Sequence, residues 1–377
     1  MHDTIIIGGG IVGLGTAYVL VCGGADTLLI DRDDPGQASD AGAGILSGGV
    51  TDSGDSGSRY DLSVRAFKYY ESLIDRLRAD QAGNDGYTRC GLMVVAVSED
   101  EIEPLTSLRA SIEMRGEGRG VAGEADVRTL SSDEARAMFP PLAAVHGAVY
   151  SSRGARVDGR CMSRSLRRGA RRHGLRTMSA GVDSLVLENG RAAGVVVDGE
   201  TIRGRHVVIA GGAWSGAFGE QLGVQIPVAP QRGQIIHLGL ADTDTRAWPI
   251  VSAFHEHYMV PWPDSRVAVG ATRETGSGFG THVTAAGVRE VLDEALRVAP
   301  GLRDAEIREI RVGLRPLAAD ELPILGSVTG IGNVFLVTGH GPSGLQLGPY
   351  SGKLVADMIL GNEPEMDISE FGVGRFG

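Results

Sequence analysis

The first thirty residues alternate between apolar blocks and a glycine-rich break. An apolar run ends at Gly8, and Gly10 and Gly13 then complete the pattern G-x-G-x-x-G. Apolar residues follow at helical spacing, and a second apolar run ends in Asp31. This order predicts a strand, a tight turn, a helix and a second strand that is followed by an acid.

The turn between the first strand and the helix predicts a dinucleotide site. Gly8 allows a sharp turn, Gly10 lets a pyrophosphate approach the backbone, and Gly13 lets the helix pack close to the sheet. The start of the helix offers free N–H groups to a phosphate. Asp31, which lies 18 residues after Gly13, is placed to hold a ribose hydroxyl and favours NAD or FAD over NADP. With 57 glycines in the chain, the motif becomes specific only through the strand, helix and acid around it.

The same strand-to-glycine pattern recurs twice further along the chain. Residues 207–215 form a buried strand pattern that runs into small residues, and residues 333–338 run into the turn 339–344. A helical pattern follows over residues 349–360, and Asn-Gly at 189–190 predicts a β-hairpin. Three strands that end in such turns gather at the carboxyl edge of an open parallel sheet, where ligands bind.

Length and charge limit the class of protein. A chain of 377 residues suggests two domains or one large composite. The formal net charge of −11 disfavours nucleic-acid binding and attraction to membrane surfaces. An arginine-rich helix predicted over residues 162–176 is therefore interpreted as a solvated face, with Leu166 and Ala170 turned inward. Because no run of 18 or more apolar residues occurs, no transmembrane segment is expected.

The cysteines indicate neither a disulfide framework nor a zinc site. Cys22, Cys90 and Cys161 are scattered, odd in number and outside any C-x-x-C pattern. A cytoplasmic location is the expectation that fits these cysteines and the absence of a long apolar run.

Taken together, these segments resemble the D-amino acid oxidase/glycine oxidase family of FAD-dependent oxidoreductases, from about Thr4 to Gly361. Each matching piece is short, and the shared order and spacing of the pieces make the resemblance specific. Besides the nucleotide fingerprint, the matching pieces are residues 38–46, 157–158, 207–215, 231–234, 258–261, 269–272, 312–316 with Asp320, 323–326 and 339–344.

The resemblance implies an α/β fold with two domains. A Rossmann-like FAD-binding domain would be discontinuous and consist of residues 1–85, 145–225 and 325–377. A second, α+β substrate-binding domain, built on a mixed antiparallel sheet, would come from residues 86–144 and 226–324.

The resemblance also assigns roles to individual residues. Arg315 would bind the substrate carboxylate opposite the flavin, and Tyr258 would share that carboxylate. Asp31 would hold the adenosine ribose, where most relatives carry Glu. The residues placed around FAD, from the pyrophosphate and adenine to the ribityl chain and flavin, are Gly8, Gly10, Gly13, Asp31, Ser39, Ala43, Gly44, Ile45, Val182, Gly341, Gly344 and Leu345.

Two departures from the family pattern bear on the expected chemistry. Pro342 and Ser343 stand where some glycine oxidases carry a second arginine, which weakens a specific assignment to glycine. The sarcosine oxidase branch attaches its flavin through a cysteine near the position of Arg315. No cysteine follows Cys161 in this chain, so FAD is expected to bind non-covalently.

The implied reaction is oxidation of a small amino acid, of glycine or D-amino acid type, by hydride transfer from Cα to flavin N5. The imine product would hydrolyse to an oxo acid and ammonia, and dioxygen or another acceptor would reoxidise the flavin. An N-methyl amino acid or a 2-hydroxy acid is an alternative substrate; a non-catalytic flavin-binding protein and a nicotinamide dehydrogenase are alternative functions. The side chain, the stereochemistry, the acceptor, the formation of a homo-oligomer and the roles of His255, His257 and His340 stay open.

Overall fold

The computed structural model describes residues 1–51, 57–118 and 127–377. In chain order, the strands of these ranges are β1 (His2–Ile7), β2 (Thr27–Asp31), β3 (Ile45–Leu46), β4 (Tyr87–Arg89), β5 (Leu92–Ala96), β6 (Val127–Leu130), β7 (Gly147–Ser151), β8 (Ala155–Val157), β9 (Arg176–Ser179), β10 (Ser184–Glu188), β11 (Arg191–Val197), β12 (Glu200–Ile209), β13 (Val228–Gly239), β14 (Ile250–Ala253), β15 (Tyr258–Trp262), β16 (Arg266–Gly270), β17 (Glu274–Thr275), β18 (Glu306–Ala318), β19 (Ile324–Val328) and β20 (Ile331–Thr338). The α-helices of the same ranges are α1 (Ile11–Cys22), α2 (Ala38–Ala41), α3 (Ser58–Ala79), α4 (Ile102–Gly118), α5 (Ser132–Met138), α6 (Gly159–Arg172), α7 (Gly219–Leu222), α8 (Ala285–Val298) and α9 (Gly344–Leu360).

The first sheet contains the predicted nucleotide-binding strands. Its order is β10-β11-β12-β1-β2-β9, with β20 beside β12 and β19 beside β20. Strands β1, β12 and β20 run parallel, and the register aligns Ile7 with Ile209 and Ile209 with Leu336. The three glycine-rich turns therefore emerge at one edge of the sheet, as the sequence predicts. Helix α1 packs against α6 and α9, which is why it is buried on nearly all sides.

The second sheet is mixed and mostly antiparallel. Its order is β17-β13-β16-β15-β14-β5-β7-β6, with β18 beside β13; β5 and β14 are parallel, and the other pairs are antiparallel. Strand β7 (Gly147–Ser151) belongs to this sheet, although it lies inside the range 145–225 expected for the FAD-binding domain. The domain division itself stays a prediction. A small third sheet has the order β3-β8-β4.

Local signals in the sequence agree with the structure at the hairpin and at α6. Asn189 and Gly190 both adopt positive φ (51° and 73°) between β10 and β11, as a tight hairpin turn requires. The Asp158 side chain accepts a hydrogen bond from the backbone N–H of Cys161 at 2.9 Å and caps α6. Helix α6 buries Leu166 and Ala170, so the prediction of an inward apolar stripe is confirmed.

Helix α9 begins at Gly344 rather than at residue 349, which the helical pattern indicates. Pro349 lies inside the helix, and a proline has no N–H to donate to the carbonyl four residues earlier, that of Leu345. The buried hydroxyl of Tyr70 donates to that carbonyl instead. The helix therefore tolerates its proline because another element satisfies the freed acceptor. None of the helices in the described ranges combines the length and apolar character needed to cross a membrane.

Candidate active site

A cavity lies at the carboxyl edge of the first sheet and extends to the second sheet. It is lined by Ile7, Ala210 and Val337, at or near the carboxyl ends of β1, β12 and β20. All of the predicted site residues except Gly13 line it, namely Gly8, Gly10, Asp31, Ser39, Ala43, Gly44, Ile45, Val182, Tyr258, Arg315, Gly341, Gly344 and Leu345.

The glycine-rich turn explains why Gly13 lies outside the cavity. Gly8 has φ of +108°, and a Cβ added there would lie 2.4 Å from the carbonyl oxygen of Ala210. A Cβ added at Gly13 would lie 2.0 Å from the carbonyl oxygen of Gly8. Gly13 therefore lets α1 pack directly behind the turn, as its predicted packing role requires. It is not among the residues of the cavity wall, where the expected contact with FAD would need it.

The N-terminus of α1 is suited to binding an anion. Gly10 provides no side-chain cap and the first turn contains no acid, so no charge within the helix neutralises the positive end of its dipole. The backbone N–H of Ile11 donates to Ser39 Oγ at 2.9 Å. A Cβ added at Gly10 would meet only this Ser39 oxygen, at 3.2 Å. The backbone at Gly10 is therefore open to a phosphate.

Asp31 supplies a half-buried carboxylate beside this helix start. Burial raises the pKa of Asp31, and the nearby charge of Asp33 adds to the rise. The backbone N–H groups of Gly9 and Asp33 donate to the carboxylate and oppose it, and Gln37 Nε2 lies 3.4 Å from Oδ2. The remaining acceptor capacity of this carboxylate suits sugar hydroxyls.

A second helix N-terminus, that of α9, faces another part of the cavity. Gly341, Gly344 and Leu345 line the cavity there, and no side-chain cap or acid occupies the first turn of α9. His340 is 3% exposed, and burial lowers its pKa to about 4. Its imidazole is therefore neutral at pH 7 and adds no positive charge to that of the helix dipole.

These features fit FAD. One helix start can hold a pyrophosphate, Asp31 can hold a ribose, and the α9 N-terminus can stabilise negative charge on a reduced ring. The donors and glycines that this requires converge on the same cavity wall.

Arg315, on β18, lines the end of the cavity that the second sheet forms. Its guanidinium lies over Gly233 of β13, where an added Cβ would be 2.6 Å from Cζ and both Nη atoms. Nη1 donates to the carbonyl oxygen of Thr272 at 2.9 Å and lies 3.4 Å from Gln231 Oε1. Within the described ranges, none of its hydrogen bonds goes to a carboxylate. A half-buried arginine whose hydrogen bonds go only to neutral acceptors is suited to binding an anionic ligand.

Tyr258, the first residue of β15, presents its phenol beside Arg315. Burial raises the pKa of the Tyr258 hydroxyl, while the charges of Arg315 and Arg273 oppose the rise. The phenol is hydrogen-bonded to Arg315. At neutral pH it stays protonated and can donate to a carboxylate that Arg315 also binds.

Four charged residues of the cavity escape prediction from the sequence. Arg32 and Asp34 lie near Asp31, and the other two lie at the Arg315 end. These two are Arg273 and Glu256, and Arg273 Nε lies 2.5 Å from Glu256 Oε2. They lie just beyond the ends of β16 and β15, whose register pairs Tyr258 with Gly270. The only sequence signal is that Arg273 follows the matched piece 269–272.

The neighbouring histidines take no part in the cavity wall. His255 Nε2 and Nδ1 lie 3.9 Å and 3.6 Å from the carboxylates of Glu101 and Glu294. His257 Nδ1 lies 2.7 Å from the carbonyl oxygen of His255. Both rings therefore support the β14–β15 turn.

Similar proteins share this arrangement along nearly the whole chain. A family model described as "FAD dependent oxidoreductase" matches residues 3–358. The uncharacterized oxidoreductase YurR of Bacillus subtilis (strain 168) is 36% identical over 98% of both chains. A glycine oxidase of Bacillus licheniformis is 30% identical over 96% of this chain and 94% of its own. The crystal structure of iminodiacetate oxidase (IdaA) from Chelativorans sp. BNC1 has 39% identity, covers 98% of both chains and superposes with a TM-score of 0.92.

The fold and the cavity are those of a dinucleotide-binding protein, and the family model that matches the chain is one of oxidoreductases. The chain belongs to the FAD-dependent oxidoreductase family of the D-amino acid oxidase/glycine oxidase type. FAD is its cofactor.

Proposed function

We propose that this protein oxidises a small amino acid whose carboxylate is bound by Arg315 and Tyr258. The observation that carries the proposal is Arg315, an arginine of the cavity wall that makes hydrogen bonds only to neutral groups within the described residues. A planar guanidinium can give two parallel hydrogen bonds to one carboxylate. The Tyr258 phenol adds a neutral donor at the same place.

The chemistry supplied by bound FAD is acceptance of a hydride from the carbon next to the substrate amine. Arg315 and Tyr258 orient that carbon by holding the adjacent carboxylate. The amine must be neutral when it reacts, because its nitrogen lone pair forms the C=N bond as the hydride leaves. Burial makes His340 a weak base, with a pKa of about 4, so we do not assign it the amine proton. Loss of the hydride and of the N–H proton leaves an imine, and water converts it to an oxo acid and an amine or ammonia.

We infer that the substrate contains a glycine unit, with one carbon between the amine and the carboxylate. Glycine oxidases and an iminodiacetate oxidase are among the similar proteins, and glycine and iminodiacetate share this unit. An N-substituted glycine is therefore the second candidate substrate, beside a primary amino acid. We also propose that FAD lies non-covalently along Gly8, Gly10, Asp31 and Val182.

Anaerobic flavin bleaching tests the proposal. The FAD-loaded protein would be mixed with glycine, D-alanine, L-alanine, sarcosine and iminodiacetate, and the loss of flavin absorbance would be followed in a stopped-flow instrument. At least one compound with a glycine unit should reduce the flavin within seconds to minutes. Methylamine, which lacks the carboxylate, and glycolate, which lacks the amine, are the matched controls. Reduction by glycolate alone would favour a 2-hydroxy acid, and a flavin that none of them reduces would point to a non-catalytic protein.

A further inference from the structure

The outer part of the substrate wall carries a second arginine with a displaceable partner. Arg273 Nε lies 2.5 Å from Glu256 Oε2, and the two side chains are 38% and 63% exposed, respectively. Glu256 is the more exposed partner and stands at the turn between β14 and β15, where His255 and Glu256 both have positive φ (68° and 63°). The carboxylate can therefore swing into water while the arginine stays at the wall.

Arg273 is the sequence neighbour of a residue that is hydrogen-bonded to Arg315. Arg315 Nη1 donates to the carbonyl oxygen of Thr272 at 2.9 Å, and Thr272 directly precedes Arg273. The positive charge of Arg273 also opposes the rise in the pKa of Tyr258 and adds to the fall in the pKa of Arg315, both of which are caused mainly by burial. The two guanidinium groups thus lie within electrostatic reach of each other and of one phenol.

A substrate with one carboxylate balances the charges of this wall, and a substrate with two carboxylates can replace Glu256 as the partner of Arg273. Arg273 and Arg315 contribute two positive charges, and Glu256 contributes one negative charge. A monocarboxylate on Arg315 neutralises the wall and leaves the Arg273–Glu256 pair intact. A substrate with two carboxylates can bind both arginines and release Glu256 to solvent, where a carboxylate is well hydrated.

We propose that Arg273 binds a second carboxylate of the substrate and that Glu256 is the counter-ion which this carboxylate displaces. The substrate class is then an amino dicarboxylate, with carboxylates on both sides of the amine or on a short side chain. The inference rests on the proposed function, since it assumes that Arg315 binds the first carboxylate. It makes Arg273 a specificity-determining residue of the same site.

The test compares sarcosine with iminodiacetate, which differ by the second carboxylate. In Arg273→Gln, kcat/KM for iminodiacetate should fall about 10- to 100-fold, as expected for a lost charged hydrogen bond, mainly through KM. The value of kcat/KM for sarcosine should change by about two-fold or less, because an exposed charge contributes little to a ligand that it does not touch.

Two further variants and a control sharpen the test. Arg273→Lys should recover part of the iminodiacetate activity, and Glu256→Gln should lower KM for iminodiacetate because the competing carboxylate is gone. Arg289→Gln, which removes an exposed arginine of α8, is the control for net charge.

A binding measurement separates recognition from turnover. Thiodiacetate and (methylthio)acetate, which carry sulfur in place of the amine, would be titrated against the perturbation of flavin absorbance. Arg273→Gln should weaken the binding of thiodiacetate and leave the affinity for (methylthio)acetate unchanged.

The outcomes distinguish this inference from the proposed function. Oxidation of sarcosine or glycine without any oxidation of iminodiacetate or D-aspartate would overturn the dicarboxylate assignment and leave the proposed function standing. An equal loss of sarcosine and iminodiacetate activity in Arg273→Gln would show that Arg273 only supports the wall. If no amino acid reduces the flavin, the proposed function itself fails.

Discussion

The guanidinium of Arg315 is planar and can donate two parallel hydrogen bonds, which leads to a specific prediction for its replacement by lysine. Lysine keeps the charge but cannot give two parallel hydrogen bonds to one carboxylate. A charged hydrogen bond contributes about 1.5–3 kcal/mol, so Arg315→Lys should lower kcat/KM for an amino acid roughly 10- to 150-fold. The loss should appear in KM if the Arg315 side chain acts equally in ground and transition states, and also in kcat if it aligns the reacting carbon. Steady-state kinetics on the oxidised amino acid would measure both constants.

The control for this substitution is a primary amine without a carboxylate. Arg315→Lys should treat such an amine no worse than the parent protein does, and its FAD content should be unchanged because Arg315 is not expected to touch the phosphates. A folded, flavin-loaded variant with parental KM and kcat would place the carboxylate elsewhere in the cavity.

At the scale of elements, the pairing of β13 with β18 determines where Arg315 can lie. The guanidinium rests on Gly233, where an added Cβ would lie 2.6 Å from it. Gly233→Ala should therefore push the guanidinium off its position and lower kcat/KM by about 10-fold or more, the loss expected for one misaligned charged hydrogen bond. Flavin content and the unfolding midpoint should stay close to those of the parent, because alanine is well tolerated in a strand of ordinary φ.

Gly239, on the same strand, offers a matched control. A Cβ added there would lie 2.1 Å from Nε of Arg308, another arginine of β18 but one with an exposed side chain. Gly239→Ala should leave activity unchanged because Arg308 can move into water. Equal activities of the two variants and the parent would show that Gly233 does not position Arg315.

The elements also show which features the sequence reveals. The glycine fingerprint and the Asn-Gly hairpin are local signals, since one turn conformation requires each of them. The Arg273–Glu256 pair depends on the register between β15 and β16, which no short segment encodes. Helix α9 begins before Pro349 because Tyr70, a residue of the distant helix α3, satisfies the carbonyl that the proline leaves free. Both the Arg273–Glu256 pair and the start of α9 therefore depend on contacts between segments that are distant in the sequence. The expectation that Arg315 lies in the cavity opposite the flavin came from the family resemblance.

At the scale of the whole molecule, buried histidines make stability depend on pH. His237 on β13 is 1% exposed, and burial together with Arg311 and Arg266 lowers its pKa from 6.5 to about 3. Glu309 opposes this shift and Arg160 adds to it. Below pH 6.5 the unfolded chain takes up a proton on this histidine that the folded protein does not, so stability falls as the pH drops towards 3.

One such proton corresponds to a slope of about 1.4 kcal/mol per pH unit. His340, with a pKa of about 4, and His206, whose pKa burial also lowers, contribute in the same direction, whereas the raised pKa of Asp31 acts in the opposite direction. Comparing the parent protein with a His237 variant between pH 5 and 6.5 therefore isolates the contribution of His237. His237→Gln keeps an acceptor for Arg266, whose Nη1 lies 2.6 Å from His237 Nδ1, and removes one titrating group.

Urea unfolding at constant excess FAD would measure this effect. We expect the free energy of unfolding of the parent protein to fall between pH 6.5 and 5. The slope for His237→Gln should be shallower by about 1 kcal/mol per pH unit on average, because the histidine of the unfolded chain is only half protonated at pH 6.5. His146→Gln, which removes an exposed imidazole, should keep the parental slope. Parallel curves for the parent and His237→Gln would mean that His237 becomes protonated in the folded protein, with Arg266 and Arg311 moving away from it.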